Sequence, residues 1–323
     1  MFNKKNILIT GGTGSFGKNF INYILKNYRP NKLIIYSRDE LKQYELSLKI
    51  KDKCVRFFLG DIRDQDRFFD ASKKIDIIIH AAALKQVPAA EYNPFEFIKT
   101  NILGAQNIIA CAIKNEVEKT IALSTDKAVA PINLYGATKL CSDKLFIAAN
   151  NMVGNNNVTF SVVRYGNVVN SRGSLFPKIK NSPEKQIKLT HKNMTRFFIK
   201  LDDSVKFVEK SIKLMKGGEI FIPKIPAYKI YDMIKILKPN AKIKIIGIRP
   251  GEKIHESLFS KDDSNNVVEF NDYYIIKPSI NLTKKINYKR NKLGQVGKQI
   301  KNSEYISSNH VKITKKEIKK LDL

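Results

Sequence analysis

The 323-residue chain has no tryptophan, only three cysteines, and 30 acidic residues against 58 basic ones. Cys54, Cys111 and Cys141 are odd in number and widely spaced, with no Cys-x-x-Cys and no histidine cluster. That argues against a disulfide framework or a zinc site and points to a reducing cytoplasm. No run of about 18 apolar residues occurs, so no membrane span is expected. The opening stretch MFNKKNILIT is too short in apolar residues for a secretory signal and passes straight into a strand-like run. The shortage of acid leaves a net charge of +28, a balance that raises the question of nucleic acid or anionic membranes. Yet 48 of the 58 cations are lysine and 10 are arginine, scattered along the chain. A bias toward Lys, Asn and Ile explains such scatter better than a phosphate-binding stripe, so no nucleic-acid partner is expected.

What is present is a core. Hydrophobic residues make up 43% of the chain, and in the first half they come in short, near-continuous runs separated by turn residues. Strands are expected at 6–10, 32–36, 55–59, 75–80, 120–124 and 159–163. Helical patterns lie between them, at 16–27, 38–50, 94–114 and 135–150. This alternation is that of parallel βαβ units with both sheet faces covered. After Tyr165 it gives way to short segments punctuated by prolines 177, 183, 223, 226, 239 and 250. The expectation is an α/β protein with a Rossmann-type doubly wound parallel sheet and a smaller mixed α/β C-terminal domain. The boundaries fall at 1–165 and 166–323, with the second part interleaved with the first. The tail from Lys284 is Lys/Asn/Ser-rich, with a short helical pattern at Thr314 to Leu321.

The first strand runs into Thr10-Gly11-Gly12-Thr13-Gly14-Ser15-Phe16-Gly17. Glycines are needed where the chain turns sharply and where backbone approaches a pyrophosphate; the following helix start supplies oriented N–H groups. A strand before and a helix after are the context that makes this pattern a dinucleotide site. The end of the second strand then selects the cofactor: a carboxylate grips a ribose hydroxyl of NAD, while arginine accommodates the extra phosphate of NADP. Ser37, Arg38 and Lys42 fit NADP; the other reading makes Arg38 a helix start and gives the ribose to Asp39. Asp61, followed by Ile62, ends the third strand where an adenine would lie.

Tyr135-x-x-x-Lys139 places a phenol and an ammonium on one helix face, where the ammonium and a cationic nicotinamide lower the phenol's pKa. Ten residues upstream, Thr125 ends the fifth strand. His80 reads as a packed core histidine, and Cys111 and Cys141 as small buried apolar groups.

On Thr10-Gly11-x-x-Gly14-x-x-Gly17 and Tyr135-x-x-x-Lys139 the chain resembles the extended short-chain dehydrogenase/reductases. Ser124-Thr125-Asp126-Lys127-Ala128, Arg164-Tyr165-Gly166-Asn167-Val168, Ser171-Arg172-Gly173-Ser174, Met194-Thr195-Arg196-Phe197, Arg249-Pro250-Gly251-Glu252-Lys253 and Tyr305-x-Ser307-Ser308 narrow it. They resemble the inverting UDP-N-acetylglucosamine 4,6-dehydratases, which open the route to pseudaminic acid and flagellin glycosylation. Retaining dehydratases carry Thr-Asp-Glu after the fifth strand, and epimerases lack the charged pair. The resemblance implies an NADP-dependent hydro-lyase. Tyr135 removes the 4-OH proton, Lys127 is the C5 base, and Asp126 assists the departing C6 hydroxyl. Burial beside Lys139 would push Lys127 toward its neutral form. Thr125 holds the 4-OH or the phenol.

It also implies cofactor contacts from Ala81, Thr100 and Val168, and substrate contacts from Lys85, Asn167, Arg172, Thr195, Arg196, Arg249 and Glu252. The arginines suit a diphosphate because guanidinium forks bind phosphate oxygens in pairs. Gln86 stands where the family carries histidine, and the stretch from Leu175 to Asn193 is short and Lys-rich. The helices at 94–114 and 135–150 would pair subunits of a homo-oligomer, often a hexamer in such enzymes. Two readings compete: retaining dehydration or C4 epimerisation on the same scaffold, and a non-catalytic NADP-binding regulator, against which the intact Tyr135/Lys139 pair argues.

Overall fold

The computed structural model describes residues 1–154, 157–181, 186–280, 286–311 and 318. The helical pattern expected at Thr314 to Leu321 lies, but for Ile318, outside them. The alternating apolar runs fold into β1 (Asn6–Thr10), α1 (Ser15–Asn27), β2 (Lys32–Ser37), α2 (Glu40–Lys49), β3 (Val55–Leu59), α3 (Gln65–Ala71) and β4 (Ile77–His80). There follow α4 (Val87–Tyr92), α5 (Pro94–Phe97), α6 (Gly104–Lys114), β5 (Lys119–Thr125), α7 (Leu134–Ala149) and β6 (Thr159–Tyr165). Beyond Tyr165 come β7 (Asn167–Val168), α8 (Leu175–Lys180), β8 (Gln186–Leu189), β9 (Thr195–Ile199), α9 (Leu201–Leu214), β10 (Ile220–Pro223), β11 (Ala227–Lys229) and α10 (Ile230–Leu237). The last are β12 (Lys242–Ile245), β13 (Ser257–Phe259), β14 (Val267–Glu269), β15 (Tyr273–Ile276), β16 (Lys298–Gln299) and β17 (Tyr305–Ile306).

Among the described residues the main sheet has ten strands, in the order β3-β2-β1-β4-β5-β6-β10-β15-β14-β16. The pairs from β3 to β10 are parallel, and those from β10 onward are antiparallel. The order reverses between β1 and β4, which opens a crevice at the carboxyl ends of those strands. Ile7, Leu8, Ile9, Leu33, Ile35, Ile78, Ile79 and Ile121 are fully covered. Helix α6 packs on α3 and α7, and α1 packs on α9, so helices cover both sheet faces. Each such aliphatic side chain contributes roughly 1.5–3 kcal/mol by its burial. A second apolar cluster, with Phe176, Leu189, Met194, Phe198, Tyr228 and Met233, lies among α8, β8, β9, β11 and α10. The sheet itself takes in β10, β14, β15 and β16 from beyond Tyr165.

Two local expectations are corrected. The helix at 94–114 is interrupted: Ile98–Leu103 winds as a π-helix between α5 and α6. There Asn101 turns inward, donating to the Leu84 carbonyl at 2.9 Å and accepting from the Leu84 N–H at 2.9 Å. Such local widening re-aims side chains, here toward the crevice. Cys141 is exposed rather than buried, because it shares the outer face of α7 with Lys144 and Ala148. His80 is buried and bonded to the Thr10 hydroxyl at 2.9 Å, as a core histidine should be. Among the described residues no helix is long and apolar enough to cross a membrane.

Candidate active site

A cleft of about 610 Å³ opens at the carboxyl ends of the parallel strands. Gly11, Thr13, Gly14, Ser15, Phe16 and Gly17 line it, as do Ser37, Arg38, Lys42, Asp61, Ile62, Ala81, Thr100, Tyr135, Lys139 and Val168. The glycine turn is shaped for close backbone approach. Gly11 sits at φ +66°, and a Cβ there would lie 2.9 Å from the Ala82 backbone. A Cβ on Gly17 would meet Gly12 backbone at 2.5 Å, so the helix start can lie on the turn only without one. Gly14 caps α1 without any side-chain hydrogen bond, which leaves its first N–H groups for an anion. The Thr100 hydroxyl has no partner among the described residues. A nucleotide cofactor fits this cradle.

At the ribose end Asp39 is the N-cap of α2: its carboxylate accepts the Lys42 N–H at 2.9 Å and also pairs with the Lys42 ammonium. The Lys42 ammonium first, and then its backbone N–H, hold the Asp39 carboxyl below its ordinary range. Arg38 is half exposed at the mouth, 3.5 Å from Asp61. Asp61 is engaged by Arg63 at 2.7 Å; burial pushes its carboxyl up, but Arg63 and Arg38 outweigh burial and hold it low.

At the other end Asn133 caps α7 by accepting the Gly136 N–H at 2.8 Å. A Cβ on Gly136 would meet the Lys127 carbonyl at 2.2 Å, so this glycine lets the helix lie against the Asp126–Ala128 turn. Tyr135 is thereby brought beside Thr125 and Lys127. Burial pushes its phenol up to about 12, against the pull of the Lys127 charge and the Thr125 hydroxyl. Burial lowers the Lys139 ammonium, opposed by Asp143. Asp126 is fully buried and accepts from Thr125 at 2.9 Å and from the Lys127 ammonium at 3.0 Å.

Lys127 departs from expectation in sign. Burial does pull its ammonium down, but the Asp126 and Glu256 carboxylates, the latter 3.4 Å away, prevail and hold it above the ordinary lysine value. Lys139, expected to act on it, is not the dominant neighbour. The resting lysine is a cation.

The expected substrate residues divide. Lys85 and Asn167 line the cleft. Arg172 sits on the loop that closes over it: its N–H donates to the Ser15 hydroxyl at 2.9 Å, and its carbonyl accepts from Lys85 at 3.3 Å. Thr195 is buried away from the cleft, bonded to His255 at 2.8 Å and Ser307 at 2.7 Å. Arg196 is buried too, and donates to the carbonyls of Thr195, Ile254 and Lys253 at 2.7, 3.0 and 2.8 Å. Its fork thus holds the 252–256 segment and is not free for a diphosphate. Arg249 is exposed and paired with Glu252 at 2.8 Å. That loop reaches the active end, where the Gly251 carbonyl accepts from Asn133 at 2.8 Å and Lys253 donates to the Val129 carbonyl at 2.6 Å.

Sequence reasoning missed Glu256 and the buried Ser124–Asp143–Arg164 set. Asp143 accepts from the Ser124 hydroxyl at 2.7 Å and from the Arg164 guanidinium at 3.0 Å, placing a carboxylate behind Lys139. Asp143, four residues beyond Lys139 on α7, had a readable signal in its helical spacing. Glu256 had none.

The family pattern described as "Polysaccharide biosynthesis protein" matches residues 7–278. A UDP-N-acetylglucosamine 4,6-dehydratase (inverting) of Campylobacter jejuni is 56% identical over 96% of this chain and 94% of its own. A UDP-glucose 4-epimerase of Rickettsia canadensis is 38% identical over 99% of this chain and 96% of its own. Among solved structures, Pen from Bacillus thuringiensis superposes with a TM-score of 0.90 at 36% identity, covering 99% of this chain and 98% of that one. DesIV, a dTDP-glucose 4,6-dehydratase from Streptomyces venezuelae solved with NAD, shares the fold at a TM-score of 0.69 and 20% identity, covering 79% of this chain and 87% of its own.

Proposed function

Because the chain belongs to the polysaccharide biosynthesis protein family, with a short-chain dehydrogenase/reductase fold, we infer that it is an NADP-dependent UDP-N-acetylglucosamine 4,6-dehydratase that inverts C5. The observation that carries this reading is the Asp126–Lys127 ion pair, seated beside Thr125 and Tyr135 at the end of the cleft. An epimerase needs an oxidising and reducing centre at C4 alone; a dehydratase also needs an acid and a base at C5 and C6.

Held by the glycine turn, NADP⁺ would supply an acceptor for the C4 hydride and, once reduced, the donor for C6, and its oxidised ring would bring positive charge to the cleft. Burial favours the neutral phenol, so the Lys127 charge, the Thr125 hydroxyl and the positive charge of a bound oxidised nicotinamide must first release its proton to solvent; as phenolate, Tyr135 takes the 4-OH proton while the Thr125 hydroxyl orients that oxygen. The resulting 4-ketone acidifies C5–H. Lys127 must then meet C5–H as a neutral amine, and the proton it carries at rest moves along its 3.0 Å hydrogen bond to Asp126. The amine takes the C5 proton while the C5–H electron pair forms the C5–C6 double bond. The C6–O bond breaks, and the hydroxyl leaves as water with the proton from Asp126. Ser37, Arg38 and Lys42 favour NADP over NAD, with Asp39 committed to capping α2.

The same reading places the enzyme in the cytoplasm, at the head of the route to pseudaminic acid and flagellin glycosylation. It also makes the protein a homo-oligomer, supported by Tyr92, Phe95 and Leu103, which stand exposed along the α4–α6 run. The test is incubation with UDP-N-acetylglucosamine and either NADP⁺ or NAD⁺. The expected product is lighter by one water, with NADP⁺ preferred and no net cofactor reduction. An isomer of unchanged mass would mean epimerisation, and no product from any UDP-sugar would leave a binding protein.

A further inference from the structure

Glu256 precedes β13 and is 3% exposed, yet it is no ordinary buried carboxylate. Its backbone is fixed: its N–H donates to the Ser307 hydroxyl at 2.9 Å, and its carbonyl accepts from the Ser307 N–H at 2.8 Å. Its side chain points at the candidate base, with Oε1 3.4 Å from the Lys127 ammonium and 3.9 Å from Arg196 Nε. Its other oxygen has no hydrogen-bond partner among the described residues. A buried carboxylate oxygen left unpaired is costly, so a purely structural role accounts poorly for it. Glu256 does not line the cleft, whereas Lys127 does. The carboxylate therefore reaches the chemistry only through that lysine.

We propose that Glu256 is a positioning residue for the C5 proton transfer, holding Lys127 toward the sugar and serving as the counter-charge when that lysine takes the C5 proton. The inference rests on the dehydratase reading above. In that step the C5–H bond breaks, the proton goes to the Lys127 amine, and Asp126 yields its own proton to the departing C6 oxygen. Lys127 thus ends as a cation between two carboxylates, Asp126 and Glu256. That is the arrangement the structure holds. Asp126 is neutral until it releases the acid proton, so if the C5 proton reaches Lys127 before that release, Glu256 is the carboxylate that faces the new ammonium. The charged and titratable groups facing Lys127 are Asp126 on its own turn, Tyr135 from α7, Arg196 from β9, and Lys253 and Glu256 from the segment before β13. Arg196 Nε lies 3.9 Å from the same Glu256 oxygen that faces Lys127.

Glu256→Gln preserves shape and removes the charge. Binding of NADP⁺ and UDP-N-acetylglucosamine should be unchanged, as should the transient reduced-nicotinamide absorbance that reports C4 oxidation. Turnover to the dehydrated product should fall about 10- to 100-fold, in kcat rather than KM. With one carboxylate gone Lys127 holds its resting proton, the one Asp126 later gives to the C6 oxygen, less tightly, so the alkaline limb of the kcat profile should move to lower pH by about one unit. Glu256→Asp should restore part of the rate and return the limb toward its original position. A Gln variant with the wild-type rate and limb would overturn the proposal. So would parallel loss of melting temperature and cofactor binding in both variants with the limb unmoved, since that is scaffolding alone. Absence of dehydration by the wild type would instead overturn the dehydratase function itself, whatever the variants do.

Discussion

The two ends of the cleft are built by different means. The cofactor end is mostly backbone: the glycine turn and the uncapped start of α1 follow β1 directly, and the ends of β2, β3 and β4 complete the cradle. The sugar end is charge. The Asp126–Lys127 turn, Arg196 on β9, and Glu252 and Glu256 before β13 come from three separate segments and balance one another across the fold. The first kind of site tolerates almost no added volume; the second tolerates volume but no change of charge. Cradle variants should therefore lose the cofactor, and charge-network variants should keep it and lose the chemistry.

The largest effect is expected from Lys127→Ala. Steady-state assays should show kcat lower by about 1,000-fold or more while NADP⁺ binding by fluorescence titration is unchanged. Normal turnover would remove Lys127 as the base. Gly17→Ala should do the reverse. Its Cβ would press on Gly12 backbone, and cofactor affinity should fall by about 100-fold, roughly 2.7 kcal/mol. Loss of turnover with the cofactor still tightly held would break the contrast between the two ends.

Arg196→Met sharpens it further. Removing the buried fork takes the Arg196 donor from the carbonyls of Thr195, Ile254 and Lys253 and a nearby positive charge from Glu252 and Glu256. Chemical denaturation should show a loss of about 2 kcal/mol. Unchanged stability with a raised KM for the UDP-sugar would return Arg196 to the diphosphate.

The smallest effect concerns His80, buried beneath the cleft and not among its lining residues. Burial, reinforced by the Lys139 charge, lowers its imidazole to about 3 from 6.5. The folded state therefore refuses a proton that the unfolded chain accepts, and stability is lost as pH falls from 6.5 toward 3. The slope is at most about 1.4 kcal/mol per pH unit. In His80→Gln, the drop in melting temperature between pH 6.5 and 4.5 should be visibly shallower than in the parent. An identical acid slope would show that imidazole to be accessible.

Legibility followed the same divide. The parallel strands from β1 to β6 and the cradle were readable because long apolar runs and clustered glycines specify structure locally. So was the Tyr135/Lys139 pair, by helical spacing. The sheet's extension through β10, β14, β15 and β16 was not, since strands of two to four residues carry no periodic signature. Arg196 read as a phosphate ligand because an arginine's sequence says nothing of which carbonyls it will meet. Glu256 was invisible for the same reason: its partner Lys127 lies 129 positions away. The positive charge of Lys127 reversed an expectation built from burial alone, because the opposing carboxylates arrive only with the tertiary fold.

The most direct test of the central claim is NMR of the product formed from UDP-N-acetylglucosamine in D₂O. A base at Lys127 and reprotonation on the opposite face predict a 4-keto-6-deoxy sugar of L-arabino configuration carrying deuterium at C5. A D-xylo product, or one with the original hydrogen retained at C5, would contradict it.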